Sequence, residues 1–515
     1  MRVLHAEWTK FRTVRGWTVG AVGAALASLL FLLVGTVSSN QHAGAAAALP
    51  VGSDGEAVND SFSFVHRTLT GDGSLTVRIT AFTGVLTDPG RGGPGRTSPG
   101  VTPWAKAGII VKSGLRQGSS YVAVTTTGAH GVRMQHDYVH DRAGDLTGAA
   151  TPGAPQWLRL VRAATTGTTR TTGTTGTAAT TVTGYDSPDG VHWNAIGTAS
   201  LPGGPLQAGL FVTSPAAIDP TGGGGSSPAS ATAAFDAPAV TGTWQPGGWT
   251  YTQVGVDAGS SGSPVPGAGD GSRPSADGGF TVTGAGDIAP VVGGPAGGPV
   301  FSVGTFLVGT FAGLIVIGVV AVQFGAAEFR RGLLGLTLAA TPRRGRVLGA
   351  KALVVAAVAF VVGAGAAAVC LPLGQGRARA AHFAVLTVPV PEQVRAVLGT
   401  GLLLSATAVL GLALAVLLRR SATAITVLVA ATVLPYLLAV GGLLPAGPAG
   451  WLLRLTPAAG FAVQQTLPRY DQVLSVYAPA TGYFPLPPWG GLAVLALWAV
   501  GMLAVATAVL RRRDA

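Results

Sequence analysis

The four lysines of the chain are the residues that a nucleotide-binding loop would require. Such a loop has the spacing Gly-x-x-x-x-Gly-Lys-Ser/Thr, because its backbone amides and its lysine surround the phosphates. Lys10, Lys106, Lys112 and Lys351 do not stand in that frame. The sequence therefore predicts that the chain hydrolyses no ATP by this route, is not an enzyme and carries no cofactor.

Histidines and carboxylates in the middle of the chain are the next groups that could bind a ligand. His136 and His140 lie in a segment without the helical pattern that would bring both to one face, so we interpret them as strand and loop residues. Asp186 and Asp189 could bind calcium, yet Asp-Ser-Pro-Asp-Gly is first the sequence of a hairpin turn. No metal site is predicted.

Residues 326–350 have the composition of a protein-docking loop. Four leucines between 333 and 338 form an apolar patch, Pro342 stops any helix, and arginines surround both. We predict that a partner protein is contacted by the following residues: Glu328, Arg330, Arg331, Pro342, Arg343, Arg344 and Arg346. The alternative is a basic loop without a partner, whose charge only sets membrane orientation.

Six long apolar stretches must position this loop. They cover roughly residues 17–37, 303–325, 352–372, 398–418, 422–443 and 489–510, with no Asp, Glu, Lys or Arg inside any of them. A membrane helix needs about 20 apolar residues, because its backbone polar groups must be satisfied internally. With 10% charged residues, 48% hydrophobic residues and a mean hydropathy of +0.47, the chain is predicted to be an α-helical membrane protein of six transmembrane helices.

Basic clusters at the ends of the spans set the predicted orientation. They comprise Arg2, Lys10, Arg12 and Arg15, the arginines of 326–350, Arg419 and Arg420, and Arg511, Arg512 and Arg513. All fall on one side if the chain crosses six times, and the positive-inside rule makes that side cytoplasmic. Sparser arginines such as Arg377 and Arg454 fall on the other side. We therefore predict a multi-pass plasma-membrane protein with both termini in the cytoplasm.

The net charge of +12 does not indicate nucleic-acid binding, because of where the charge lies. Residues 41–300 hold 13 Lys/Arg and 16 Asp/Glu, so the remaining chain holds 33−13 = 20 basic and 21−16 = 5 acidic residues. The excess belongs to the flanks of the membrane spans, where it faces lipid headgroups. No nucleic-acid partner is predicted.

The N-terminal segment is predicted to lie on the membrane before the first span. Residues 1–16 have the pattern of an amphipathic helix, with Leu4, Trp8 and Phe11 near one face and basic residues elsewhere. The alternative is only a charged flank. The first span, 17–37, is longer than the apolar part of a signal peptide, so we favour an uncleaved anchor over a cleaved leader.

Residues 41–300 read as a large extracellular region rich in short strands. Runs such as Ala107–Lys112 and Tyr121–Thr127 stand between Gly and Pro turn signals, which predicts an all-β jelly-roll or sandwich domain over about 55–240. The Thr/Gly tract at 165–182 is predicted to be a loop, and the Gly/Ser/Pro stretch 257–300 a tether to the membrane. The only cysteine, Cys370, lies in a span, so no intramolecular disulfide supports this domain.

Tryptophans of this region are candidates for stacking on a sugar ring. The candidate glycan contacts are Trp104, Trp157 and Trp193. The alternative, that they fill the core, is favoured because a β domain without disulfides needs large apolar side chains inside.

Three segments within residues 41–300 resemble a concanavalin-like, laminin-G-like domain. They are Gly73-Ser-Leu-Thr-Val-Arg78, Pro103-Trp-Ala-Lys-Ala-Gly-Ile-Ile-Val-Lys112 and Tyr185-Asp-Ser-Pro-Asp-Gly-Val-His-Trp193. The similarity covers much of 60–215. It implies a β-sandwich, and members of such families often bind glycans.

Both ends of the chain resemble type-2 ABC-transporter permeases of high-GC Gram-positive bacteria. The similar segments are Ala-Glu-Trp-Thr-Lys-Phe-Arg-Thr-Val-Arg at 6–15, the loop and helix start at 328–351, residues 451–465, and the terminal Leu-Arg-Arg-Arg-Asp-Ala. The resemblance implies a permease that forms dimers and binds cytosolic ATPase subunits through 326–350. The large insert after the first span departs from the usual short loop, so no substrate follows.

The function predicted from these observations is that of a permease subunit of an ABC exporter, driven by ATP hydrolysis on a separate subunit. No span holds an acidic or basic residue of the kind that would couple transport to an ion. The expected partners are a cytosolic ATPase, a second permease, membrane lipid and a candidate extracellular glycan. The alternative is a membrane-anchored receptor or sensor for a cell-wall glycan, although one anchor would suffice for that role.

The charge clusters give a direct test of topology. Reporters fused after Ala515 and within 326–350 should read as cytoplasmic, and reporters within 257–300 as external, because the basic loops stay on the cytoplasmic side. Enzymatic reporters active on one side only would measure this. The opposite reading at either loop would contradict the six-span arrangement.

Overall fold

A computed structural model describes residues 2–39, 49–87, 97–164, 179–218, 226–255, 271–293, 300–330, 344–381 and 383–513. The chain divides into two compact units. The helical unit contains Met1–Ala48, Pro299–Pro468 and Tyr477–Ala515, and the β-rich unit contains Leu49–Gly298 and Arg469–Val476.

The described part of the helical unit forms nine α-helices. They are α1 (Arg2–Thr13), α2 (Arg15–Ser39), α3 (Val303–Leu307), α4 (Thr310–Arg330), α5 (Arg344–Ala380), α6 (Val390–Leu418), α7 (Ser421–Val440), α8 (Ala446–Leu455) and α9 (Pro488–Arg513). Two 3₁₀ helices, Pro457–Gln464 and Pro479–Thr481, lie between α8 and α9. A short parallel pair, β20 (Val300–Phe301) with β21 (Ala384–Val385), completes this unit.

Five segments are long and apolar enough to cross a membrane: Val303–Ala327, Gly345–Ala380, Val390–Leu418, Ser421–Val440 and Pro488–Arg512. The bent pair α1 and α2 adds a sixth if it is counted as one span. These helices indicate a membrane protein. The predicted combination of apolar membrane helices with a β-rich domain is confirmed.

The N-terminal helix turns sharply away from the helix that follows it. The axes of α1 and α2 meet at 76°. Leu4 and Trp8 are exposed on α1, whereas Phe11, predicted for the same face, is only 3% exposed and packs into the helical core. Helix α1 therefore packs against the helical core through Phe11 and leaves Leu4 and Trp8 on its exposed surface.

A buried 3₁₀ helix, Pro457–Gln464, fills the bundle between α6 and α9. Every residue from Pro457 to Val463 is buried. At Gly460 an added Cβ would lie 2.6 Å from a methyl of Leu495 and 3.0 Å from one of Leu403, so the backbone approaches both neighbours closely. With ten and eight residues, α8 and this 3₁₀ helix are too short to cross a bilayer, and they enter the apolar core instead.

The described part of the β-rich unit contains nineteen strands and no helix. They are β1 (Val58–Asp60), β2 (Phe62–Thr87), β3 (Thr97–Pro99), β4 (Lys106–Lys112), β5 (Tyr121–Thr127), β6 (Val132–His136), β7 (His140–Ala143), β8 (Gln156–Ala164), β9 (Ala179–Ser187), β10 (Asn194–Pro202), β11 (Leu206–Thr213), β12 (Ala217–Ile218), β13 (Ser226–Ser227), β14 (Ala229–Phe235), β15 (Ala239–Trp244), β16 (Thr250–Val254), β17 (Ser272–Pro274), β18 (Phe280–Gly284) and β19 (Ile288–Pro290).

Strand β2 runs through the whole unit and pairs along both edges. One edge pairs in turn with β16, β15 and β14, and the other with β11, β8 and β3. From these pairings two wings extend, β11-β4-β5-β6-β7 and β8-β9-β10. At Gly73 an added Cβ would lie 2.4 Å from the carbonyl oxygen of Thr241, so only glycine permits the close approach of β15 there.

The two wings share one apolar core. It includes Leu75 and Ile79 from β2, Ile109 from β4, Val124 from β5 and Leu160 from β8. Because side chains alternate along a strand, Ile110 of β4 points to the other face, into a second cluster with Phe62 and Phe211. Strand β4 is therefore buried on both faces, which explains its unbroken run of buried residues.

Two fully buried lysines end strand β4. The Lys112 ammonium lies 2.7 Å from Asp60 Oδ2, which also accepts a hydrogen bond from the Tyr138 hydroxyl at 2.8 Å. Burial lowers the pKa of Lys112, and the Asp60 carboxylate opposes that shift. At the other end Lys106 pairs with Asp287 at 3.0 Å and donates to the carbonyl of Ile288. These pairs fix β1 and β19 to the wing that contains β4.

The described structure differs from the predicted tether at 257–300. Residues 271–293 include β17, β18 and β19, and β18 pairs with β14 because its Val282 side chain completes the core. Gly and Pro signals mark the turns there rather than a free linker. Residues 256–270 and 294–299 lie outside the described residues, as do 165–178 of the predicted Thr/Gly loop.

Candidate functional site

The residues predicted to dock a partner lie around the gap between α4 and α5. Three of them are outside the described residues: Arg331, Pro342 and Arg343. Three more belong to helix ends whose side chains are not described: Glu328, Arg330 and Arg344. Arg346 is exposed near the start of α5. The described residues nearest to this segment belong to α4, which ends at Arg330, and to α5, which begins at Arg344.

Glu7 on α1 forms a buried ion pair with α5. Its side chain is 2% exposed, and its Oε2 lies 2.9 Å from the Lys351 ammonium, which is 7% exposed. Its other oxygen, Oε1, accepts a hydrogen bond from Lys10 at 2.7 Å. Two ammonium groups thus offset the cost of removing one carboxylate from water.

Three aromatic rings form a cluster that contacts this ion pair through Phe324. Phe11 of α1 meets Phe324 of α4 edge-on at 5.5 Å between ring centroids, and Trp17 of α2 meets the same ring at 4.9 Å. The Lys351 ammonium lies 4.4 Å from the centroid of Phe324, which adds a cation–π contact. We call Glu7, Phe11, Trp17, Phe324 and Lys351 the N-terminal junction.

The N-terminal junction joins α1 to both helices that bound residues 331–343. Phe324 lies six residues before the end of α4 at Arg330, and Lys351 seven residues after the start of α5 at Arg344. A displacement of α5 near Lys351 would strain the ion pair with Glu7, and a displacement of α4 near Phe324 would disturb the ring contact with Phe11. The junction can act as a mechanical connection between the intervening segment and the N-terminal helix.

Sequence reasoning did not find this junction, although a signal was present. Glu7 is the only acidic residue among the first 53, and Lys351 is the only lysine after residue 112. Isolated charges beside apolar spans are costly unless they are paired. Opposite charges of this kind at two helix ends are a reason to expect a pair across the fold.

The structure places the three candidate glycan-contact tryptophans in different environments. Trp104 is 6% exposed and stacks on the His130 ring at 4.0 Å. Burial first, and the nearby Arg133 guanidinium second, lower the pKa of His130. Trp104 has no ring face open to a sugar, and it acts as a core residue.

Trp157 and Trp193 are half-buried and meet around Gly190. Gly190 has a φ of +77°, and an added Cβ there would lie 2.9 Å from the Trp157 ring. The Trp193 indole donates to the Gly190 carbonyl at 3.1 Å, and the Arg159 guanidinium lies 3.8 Å from the Trp193 ring centroid. Both tryptophans therefore lie next to Gly190 and are partly exposed, with the Arg159 guanidinium over the Trp193 ring.

The carboxylates considered for calcium, Asp186 and Asp189, accept hydrogen bonds from backbone amides. Asp186 Oδ2 accepts hydrogen bonds from the backbone amides of Asp145 and Leu146 at 2.8 and 3.0 Å. Asp189 accepts from the amides of Val191 and His192, which is the geometry of a turn. Across the described ranges no group of three or more His, Cys, Asp or Glu side chains is arranged to hold a metal ion.

Similarity to known proteins adds no assignment to these residues. No family model matches the chain, and no curated protein matches it. The candidate site therefore depends on the contacts of the N-terminal junction and on the position of the segment that it bounds.

The difference between the tryptophans predicts a difference in stability. Trp104→Ala should lower the free energy of unfolding of the β-rich unit by about 3–5 kcal/mol, because it removes a buried ring. Trp193→Ala, the matched control at a partly exposed position, should cost clearly less. Chemical unfolding of the full-length chain would measure both, since 469–476 belong to the same unit. Equal losses would contradict the assignment of Trp104 to the core.

Proposed function

We propose that the chain is the permease subunit of an ABC exporter, powered by a separate ATPase subunit. The observation that carries the proposal is the N-terminal junction, which connects α1 to both helices that bound residues 331–343. A transporter driven by a separate subunit needs a segment that receives motion and a rigid path that passes it on. The junction and the adjoining arginine-rich segment supply these two elements.

The absence of a phosphate-binding loop motif supports a separate energy source. The chain has four lysines, and each pairs with a carboxylate: Lys10 and Lys351 with Glu7, Lys106 with Asp287, and Lys112 with Asp60. None stands in the sequence frame that cradles phosphates. ATP would therefore bind to a partner, and residues 326–350 would be the segment that contacts it.

The same proposal gives the finer membrane arrangement. In this proposal α2 is the first of six transmembrane helices, and the basic clusters and both termini lie in the cytoplasm, as the positive-inside rule favours. In this arrangement the β-rich unit lies outside the cell, as a concanavalin-like sandwich. α1, with Leu4 and Trp8 exposed, lies along the cytoplasmic membrane surface.

The second candidate function is a receptor or sensor for an extracellular glycan. The observation that favours it is that Trp157 and Trp193, which both lie next to Gly190, are partly exposed. Aromatic rings of this kind stack on the faces of sugar rings. The five apolar helices beyond the first anchor favour transport over this role.

Charge reversal in the docking segment tests the proposed function. Arginine binds carboxylates through a rigid fork, so a basic rim fits an acidic groove on an ATPase. Arg343→Glu/Arg344→Glu should reduce the amount of ATPase that co-purifies with the tagged chain at least tenfold, because repulsion replaces attraction at a desolvated interface. Mass spectrometry of the captured proteins would identify the ATPase and quantify it.

The controls separate docking from membrane insertion. Arg377→Glu/Arg379→Glu removes the same number of charges at the far end of α5, where both side chains are exposed, and should leave capture unchanged. The topology of each variant must be checked, since these arginines also set orientation. Unchanged capture by a correctly inserted Arg343→Glu/Arg344→Glu chain would remove this segment as the docking site. Absence of any ATPase in the wild-type sample would contradict the permease function.

A further inference from the structure

Residues 469–476, which we call the strap, come from between two helical segments yet are part of the β-rich unit. The chain leaves the helical unit after Pro468 and returns to it at Tyr477. Within the β-rich unit, Gln472 donates to the carbonyl of Val139 and Ser475 donates to the carbonyl of Gly293, both at 2.9 Å. The strap is thus fixed to the β-rich unit by hydrogen bonds from two of its side chains.

An apolar contact holds the middle of the strap. Val473 is 4% exposed and packs with Ala289 and Val292, with Tyr470 beside them. Ala289 belongs to β19, which pairs with β1. The strap therefore binds to a paired strand of the β-rich unit rather than to a loose loop.

The hairpin that accepts the Gln472 hydrogen bond is also rigid. Its turn contains two left-handed residues that are not glycine, Asp137 with φ 45° and Tyr138 with φ 62°. Such a conformation persists only where surrounding contacts hold it. Here the Tyr138 hydroxyl reaches the fully buried pair of Asp60 and Lys112.

The base of the strap is held equally firmly inside the helical unit. The Tyr483 hydroxyl donates to the carbonyl of Pro468 at 3.2 Å, and its ring meets that of Tyr477 edge-on at 4.8 Å. Both ends of the strap are therefore tied together where it leaves the bundle. Three residues before Pro468, the Oε1 of Gln465 accepts a hydrogen bond from the backbone amide of Phe484 at 2.9 Å.

From Gln465 a series of polar contacts leads into the apolar core of the bundle. Arg395 of α6 donates to the Gln465 carbonyl at 2.7 Å. The neighbouring Gln464 amide donates to the hydroxyls of Thr310 on α4 and Thr400 on α6, at 3.0 and 2.9 Å. Thr310 and Thr400 are buried, so these bonds lie in a low-dielectric surrounding where an unpaired group is costly. The packing of α4 against α6 and the position of the strap base are thus linked by specific bonds.

We infer that the strap is a relay through which the β-rich unit and the helix bundle bias each other's conformation. A load on the β-rich unit pulls on Val473 and Gln472, and Gln464 passes it to α4 and α6. By linkage, a change in the packing of α4 and α6 acts back on the strap. The inference goes beyond the proposed function, because it holds for a transporter and for a receptor alike.

Hydrogen–deuterium exchange of the full-length chain in lipid nanodiscs tests the relay. Gln472→Ala/Val473→Asp detaches the strap from Val139 and from the apolar patch. The relay predicts that exchange then rises about tenfold at the backbone of 457–465 and at the start of α4, as well as at 136–141 and 288–293. Asp471→Asn, in the same strap but with a side chain that is 96% exposed, is the matched control and should change neither region.

The reverse direction and a milder variant complete the test. Gln464→Leu keeps the size of the side chain but removes both threonine contacts, and it should raise exchange at 136–141. If Gln472→Ala/Val473→Asp does not fold, Gln472→Ala alone removes one hydrogen bond and should show the same pattern with a smaller rise. Exchange that rises only at 136–141 and 288–293, with 457–465 unchanged, would show a local anchor and overturn the relay.

Discussion

A single buried carboxylate, Glu7, holds the N-terminal helix against α5, the helix that follows residues 331–343. Taking a carboxylate out of water costs several kcal/mol, and that cost is offset only where cationic partners approach closely. Lys10 and Lys351 provide them at 2.7 and 2.9 Å. Both side chains of the Glu7–Lys351 pair are buried, and the Phe324 ring lies against the Lys351 ammonium. The position of α1 therefore depends on an interaction that tolerates little displacement.

The same chemistry recurs in the β-rich unit. Each of the four lysines pairs with a carboxylate, and three of them are nearly fully buried: Lys106, Lys112 and Lys351. In a chain with 10% charged residues, lysine thus serves as an internal tie between distant elements, while the basic clusters at the span ends are made mainly of arginine. Removing one partner of such a tie leaves an uncompensated charge, so the ties also favour one arrangement of the elements they join.

Much of the fold could be predicted from the sequence because its signals are local. Apolar runs near 20 residues long mark the membrane helices, and alternation with Gly and Pro turns marks strands such as β4 and β5. The strands within 271–293 could not be predicted, because their Gly and Pro content is that of a linker. Val282 of β18 is buried in the apolar core of the β-rich unit, next to β14, with which β18 pairs.

The contacts that carry the functional argument could not be predicted, because they join residues far apart in the chain. Glu7 and Lys351, or Gln472 and Val139, share no spacing that a sequence pattern could report. The identity of these side chains was visible, but their partners depend on how the helices and strands pack. Trp104 and Trp193 show the same limit, since only the fold distinguishes a buried ring from a half-buried one.

A double-mutant cycle on Glu7 and Lys351 tests most directly whether this ion pair holds the N-terminal helix. The free energy of unfolding of the full-length chain is measured in detergent for Glu7→Gln, Lys351→Met and the double variant. Lys351→Met should cost about 3–5 kcal/mol, and the cycle should give a coupling of about 0.5–3 kcal/mol. Lys10→Met, which removes the partner that is 43% exposed, should cost less than about 1 kcal/mol. A coupling near zero, with Lys351→Met no more costly than Lys10→Met, would contradict the account.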